Sequence, residues 1–293
     1  MVEKGIRIKL PGRNPVHIRF SKLLLSLFML SFACLMLLPM IYALGTAFKP
    51  LDELLKFPPI FFVRRPTLKN FSDLFLILGN SEVPVLRYLF NSILVTIITT
   101  VGTIFIATLG GYSMSKLKIP CKNFLFNLIV IAMTFPGAVT ALPVFLIVRE
   151  FGMYDTYWAL IIPRFAGAYG LFLMKQFCDQ LPVPILEAAR IDGANELKVY
   201  TSIVLPFLRP AWGTLMVFTF TSVWGDSGSS IMYTINQNLR LFPVMLGSIS
   251  EGGTLARVGA TAAASLIMII PSIIIFILQQ RTVMETMAHS GIK

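Results

Sequence analysis

Residues 182–210 read PVPILEAARIDGANELKVYTSIVLPFLRP and gather Glu187, Arg190, Asp192, Glu196, Lys198 and Arg209 between two strongly apolar stretches. Charges at this density suit ion pairing and docking. Bond-making would need more than the chain offers, since its histidines, His17 and His289, lie near the two ends and no nucleophile motif accompanies the charges. No catalytic residue is assigned. Cys34, Cys121 and Cys178 are far apart and lack metal-ligand spacing, so they read as free thiols with no metal site. No G-x-x-x-x-G-K phosphate loop occurs, so an ATP site of that kind is not expected on this chain. One further charge stands alone: Arg164, inside the apolar run YWALIIPRFAGAYGLFLMK. A guanidinium stays charged there, roughly 10 Å from the outer end of its helix at 1.5 Å per residue. Two readings are open. Arg164 snorkels outward or pairs with Glu150 or Asp155, or it lines a cavity and meets an anionic group there, to which its planar fork is suited.

The elements that position these residues are membrane helices. With 56% apolar and 13% charged residues, and a mean hydropathy of +0.77, the chain falls outside the soluble range. Its net charge of +11 collects at the ends of apolar runs, where membrane topology accounts for it better than nucleic acid does. The expected fold is all-α: a polytopic membrane helix bundle with six transmembrane helices and both termini cytoplasmic. Residues 1–22 form a basic cytoplasmic tail, 23–278 the six-span transmembrane domain and 279–293 a cytoplasmic tail. The spans are expected near 23–47, 89–113, 124–148, 157–176, 211–224 and 258–278. Residues 49–87 form a long external segment with a short interfacial helix at 71–78. The basic tail and the acid-free loop bearing Lys116, Lys118 and Lys122 set the orientation. Gly102, Ala107, Gly110 and Gly111 allow close helix packing in the second span. Pro136 and Pro143 kink the third, either for packing or to line the pathway; Pro271 breaks the sixth. Residues 177–210 then fall on the cytoplasmic side as two short helices around Gly193, the second bending or stopping at Pro206.

Glu187-Ala188-Ala189, Asp192-Gly193-Ala194, Ile203 and Pro206 at this spacing closely resemble the EAA signature of bacterial ATP-binding-cassette importer permeases. The resemblance implies that this loop carries a coupling helix docked in a cleft of a separate ATPase subunit. It further implies a homologous second permease subunit, two ATP-binding subunits that hold ATP and Mg, and an extracytoplasmic solute-binding protein, assembled at the bacterial inner membrane. Trp224-Gly225-Asp226 resembles the Trp-Asn-Asp/Glu element of the carbohydrate importers in this superfamily, with Gly225 in place of the usual Asn. Trp224 is open to two readings, an interfacial anchor or a sugar platform. With Arg164, Asp226 and Pro136 it makes the candidate substrate pathway. His289, Ser290 and Gly291 resemble the ATPase-contacting tail of the maltose-type second permease. The expected cargo is a sugar or oligosaccharide, including uronate-bearing fragments of alginate or pectin. Another solute class, or transport without an ATPase, is the alternative.

Overall fold

A computed structural model describes residues 6–8, 16–18, 20–58, 60–79, 83–251 and 255–291, with side chains for 22–58, 60–76, 79, 83–250 and 257–284. The chain divides into two compact units, 1–72 with 254–266, and 73–253 with 267–293.

In the first unit, β1 (Ile6–Ile8) and β2 (Val16–Ile18) form an antiparallel ribbon within the basic tail, for which no strand was expected. Helix α1 (Phe20–Phe48) is apolar on every side and exposed as far as Tyr42. Its last carbonyls have no partner within the helix. The buried amide of Asn70 supplies one, donating to the carbonyls of Ala47 at 2.9 Å and Lys49 at 2.8 Å. Around α2 (Leu51–Leu54), two buried charges, Lys49 and Glu53, pin the segment that follows. Glu53 accepts from the backbone N–H groups of Arg64 and Arg65, each at 3.1 Å, and the Lys49 ammonium donates to the carbonyl of Ile60. The short helix expected at 71–78 is α3 (Lys69–Gly79).

The second unit is built on α4 (Val85–Lys116), which carries buried Asn91, Ser92, Thr96, Thr99, Thr103 and Thr108. α5 (Lys122–Ala132) and α6 (Gly137–Glu150) follow where one kinked span was expected. They are bent by 112°. Pro136 is the cause: it lacks an N–H, and it drives the residue before it out of the helical region. The chain therefore stops and restarts, with Pro136 as the cap of α6, while Pro143 sits inside that helix. α7 (Tyr157–Phe165) and α8 (Ala168–Asp179) form one span interrupted at Ala166–Gly167. α4 packs against α8, α12 (Arg209–Trp224) and α7.

Gly111 makes the α4–α8 approach possible. A Cβ there would lie 2.6 Å from the Met174 Cβ and 2.8 Å from the Lys175 backbone nitrogen. Gly111→Val is therefore expected to force the helices apart at a cost of about 1–3 kcal/mol, read as a lower melting midpoint of the detergent-purified protein; Ser113→Ala, on the same helix, is the control.

The remaining elements are α9 (Val183–Ile191), α10 (Glu196–Val199), a π turn at Tyr200–Val204, α11 (Leu205–Phe207), α13 (Gly228–Tyr233), α14 (Phe242–Glu251) and α15 (Leu255–Gly291). Two expectations about proline need correction. The helix runs through Pro206, with the wider π turn before it, and the sharp bend, 73°, comes two residues later at Leu208. α15 also continues through Pro271, and no break marks residue 278; apolar helices in lipid retain such prolines. Among the described residues, four helices are long and apolar enough to cross a membrane, or up to six if each bent pair counts as one span.

Candidate functional site

The polar elbow is a helix, a glycine turn and a second helix, each end closed by its own sequence. Pro182 and Pro184 open α9, where a missing N–H costs nothing. At its other end Gly193 takes φ +83°. From there Gly193 N–H donates to the Arg190 carbonyl at 3.1 Å and Ala194 N–H to the Ala189 carbonyl at 3.0 Å, the paired bonds of a Schellman cap. Asn195 then caps α10, its side chain accepting from Lys198 N–H at 2.8 Å. The Asp-Gly-Ala-Asn run thus encodes a stop followed at once by a start.

The elbow's inner side is fixed to the bundle. Leu186, Val199, Tyr200, Val204 and Leu208 are buried in one apolar cluster with Met174, Phe177 and Leu181, and Ala189, Ala194 and Ile203 pack on its edge. Polar ties cross to α4. Arg190 grips Glu196 through two hydrogen bonds, at 2.8 and 3.3 Å; Tyr112 donates to the same carboxylate at 2.9 Å. The hydroxyls of Thr108 and Tyr200 share a 2.7 Å bond, and Lys116 donates to the Leu181 carbonyl at 2.7 Å. The Arg190 hydrogen bond, and next the Tyr112 hydroxyl, hold the Glu196 carboxyl below its ordinary value. A depressed carboxylate stabilises the fold above its unfolded pKa and loses that contribution only as pH falls through the lowered value. The latch is therefore expected to persist down to about pH 5. Glu196→Gln is expected to lower hydrogen-exchange protection in residues 183–199 at pH 7, while acidification of the unaltered protein from pH 7 to 5.5 leaves the protection factors unchanged.

The outer side is bare. Glu187, Ala188, Asp192, Gly193 and Pro206 are exposed, together with Ile191 and Leu197, which are 86% and 70% exposed. An isolated exposed aliphatic residue needs no explanation. Two on one internally hydrogen-bonded elbow, among the charges of Glu187, Asp192 and Lys198, are less ordinary.

A second site brings together two residues that the sequence left apart. Arg164, at the end of α7, forms an ion pair with Asp226 and donates to the Ser229 hydroxyl at 3.1 Å. Asp226 also accepts from Ser229 N–H at 3.3 Å, and the two charged side chains are 23% and 21% exposed. Glu150 and Asp155 are not its partners: Asp155 instead accepts from the N–H groups of Ile235 and Asn236, each at 2.9 Å. The pair ties the interruption at Ala166–Gly167 to the corner after α12. Beside it opens a cleft of about 530 Å³ lined by Thr103, Tyr169, Phe218, Thr219 and Ser222 as well as Arg164. Tyr169 and Phe218 meet edge to face, 5.8 Å between centroids. Trp224 is neither platform nor membrane-edge anchor. It is 3% exposed, stacks on Phe220 and donates to the Met268 carbonyl at 2.8 Å, the acceptor a buried indole requires. Pro136 is exposed and is not among the cleft residues.

Residues 107–283 match the family profile of the binding-protein-dependent transport system inner membrane component. The chain belongs to that family. The polygalacturonan/rhamnogalacturonan transport system permease protein YtcP of Bacillus subtilis (strain 168) is 31% identical over 215 residues, 73% of each chain. The sn-glycerol-3-phosphate transport system permease protein UgpE of Yersinia enterocolitica serotype O:8 / biotype 1B (strain NCTC 13174 / 8081) is 32% identical over 204 residues, 69% of this chain and 73% of that one. Among solved structures, a bacterial ABC transporter involved in the import of the acidic polysaccharide alginate superposes with a TM-score of 0.78. That match covers 92% of this chain and 99% of the other at 20% identity, and so is a likeness of fold. A bacterial alginate ABC transporter in complex with its alginate pentasaccharide-bound periplasmic protein gives 0.61 at 14% identity, over 88% and 93%. This permease is a multi-pass membrane subunit of a binding-protein-dependent ABC importer. It is not an enzyme; in such importers a separate subunit hydrolyses ATP.

Of the permease's expected site residues, the structure joins Arg164 and Asp226 and separates Trp224 and Pro136 from them. The backbone of His289, Ser290 and Gly291 continues α15, and their side chains lie outside the described residues. Ser229, Tyr112 and the exposed Ile191 and Leu197 were not anticipated. Only the last pair left a signal, as large aliphatics on the polar side of a short amphipathic helix pair.

Proposed function

We propose that this permease imports oligosaccharides, including uronate-bearing ones, with a homologous second permease, two ATP-binding subunits and an extracytoplasmic solute-binding protein. Both termini and the elbow lie on the cytoplasmic side of a bacterial inner membrane, an orientation supported by the basic tail and by Lys116, Lys118 and Lys122. ATP and Mg are held by the partner subunits. Closure of the ATPase pair moves the elbow, and the elbow moves the bundle. Glu187 pairs with a basic ATPase residue; Ala188, Asp192 and Gly193 line the dock, and Ala189, Ala194, Ile203 and Pro206 set its pitch against the bundle. His289, Ser290 and Gly291 extend α15 toward the same interface.

The observation that carries this reading is the contrast between the elbow's two sides: packed and latched inward, apolar and bare outward at Ile191 and Leu197. The cargo class is supported by the pectin-type relative and by the chemistry of the cleft, in which hydroxyls, an aromatic pair and one guanidinium face a common space. Cysteines at positions 191 and 197 test the dock. In the working importer they are expected to cross-link to an ATP-binding subunit with a short bifunctional reagent; full uptake with no such product refutes it. Uptake of a galacturonate trimer and of a neutral trimer through the cognate binding protein tests the cargo.

A further inference from the structure

We propose that the permease carries a binding site for an anionic phospholipid where α12 begins. An apolar cavity of about 660 Å³ lies between α4 and the segment that joins the elbow to α12, lined by Val101, Ile104, Phe105, Leu205, Trp212 and Met216. Its volume is in the usual range for small-molecule sites, roughly 300–1,000 Å³. Arg209 and Pro206 stand at its edge and also line a neighbouring polar cleft of about 510 Å³, together with Arg281 and Thr282. Among the described residues, no carboxylate lines either space. Arg209 is exposed, and its side chain makes no hydrogen bond or ion pair among the described residues.

A hydrocarbon-lined cavity opening onto a doubly basic cleft asks for a molecule with the same division. One end is an acyl chain, which the aliphatic walls and Trp212 receive. The other is an anionic headgroup, which suits the fork of Arg209 and the charge of Arg281. Basic pockets between helices at the cytoplasmic surface are places where such lipids bind, and Trp212 is of the type that settles at that depth. The cytoplasmic-leaflet assignment rests on the orientation proposed above. The site itself does not, and sidedness labelling of a cysteine at position 209 would test the two separately. The occupant would lie against Leu205 and Pro206, on the arm between the elbow and the membrane.

The test is lipid retention by the purified complete importer, measured by native mass spectrometry from micelles holding equal fractions of dioleoylphosphatidylglycerol and dioleoylphosphatidylcholine. The unaltered protein is expected to keep phosphatidylglycerol selectively. Arg209→Gln and Arg281→Gln should each weaken retention about fivefold, while Arg209→Lys largely preserves it. Ile104→Trp, which fills the groove and leaves both arginines, should displace the lipid. Glycerophosphoglycerol, the headgroup without chains, should not compete. Equal retention of both lipids, indifference to the arginine changes, or displacement by the headgroup alone would overturn the proposal. So would a cross-link from a cysteine at position 104 to the second permease, which would place a protein helix in the groove.

Discussion

In Gly193→Pro permease, solute uptake is expected to fall at least tenfold while the protein remains in the membrane and its partners continue to hydrolyse ATP. The reason is local. Gly193 has φ +83°, and proline is held near −65°. Proline also removes the N–H that Gly193 donates to Arg190, so both bonds of the cap are lost together. A Cβ alone meets nothing within 4 Å. Gly193→Ala should therefore cost only the left-handed backbone penalty, about 1–2 kcal/mol, and retain most of the uptake. The ordering Gly > Ala ≫ Pro separates a required turn from a crowded contact. Glu187→Lys, exposed and outside the cap, should also reduce uptake by reversing a charge at the dock, with no loss of thermal stability.

Neutralising one member of the Arg164–Asp226 pair should be the most damaging side-chain change in the bundle. Arg164→Met leaves Asp226 half-buried with only Ser229 to hold it, and Asp226→Leu leaves a guanidinium that cannot shed its proton. Breaking such a pair from one side costs about 3–5 kcal/mol, whereas replacing both partners by apolar residues of similar size is close to neutral. The expected pattern is a large loss of folded, assembled protein in each single variant and recovery in the double variant, a double-mutant cycle with strong coupling. Transport by the recovered double variant then separates the two roles. If it carries neutral and uronate trimers equally, the pair is a brace between two helix interruptions. If only the uronate fails, Arg164 exchanges Asp226 for a cargo carboxylate.

The elbow was legible because its signals are local. Glycine at a left-handed position, asparagine at a cap and prolines in a first turn each state their geometry within a few residues of themselves. The polar connections were not legible, because their partners lie far along the chain. Arg164 and Asp226 are 62 residues apart, Tyr112 and Glu196 84, and hydropathy is silent on which pairs meet. Arg164 stands out as a charge in an apolar run and Asp226 only through the Trp224-Gly225-Asp226 element; Glu150 and Asp155 enter as candidate partners of Arg164 because sequence proximity is the available measure. Proline was read with the right physics and the wrong outcome. The same missing N–H breaks the chain at Pro136, passes behind a π turn at Pro206 and is absorbed in α15 at Pro271. What distinguishes them is the neighbouring turn and packing, which the residue itself does not encode. Trp224 shows the converse limit, since an aromatic at the end of an apolar run looks the same from sequence whether it faces lipid, sugar or the carbonyl of Met268.

The central claim is that a latched, glycine-turned elbow transmits the work of a separate ATPase to a bundle whose sequence holds no G-x-x-x-x-G-K phosphate loop. Proteoliposomes holding the importer with and without its ATP-binding subunits measure this most directly, with radiolabelled cargo and saturating binding protein. ATP-dependent accumulation only in the complete complex, abolished by Gly193→Pro with hydrolysis retained, is the predicted result. Accumulation at an equal rate without the ATP-binding subunits, or unimpaired uptake by Gly193→Pro, would contradict it.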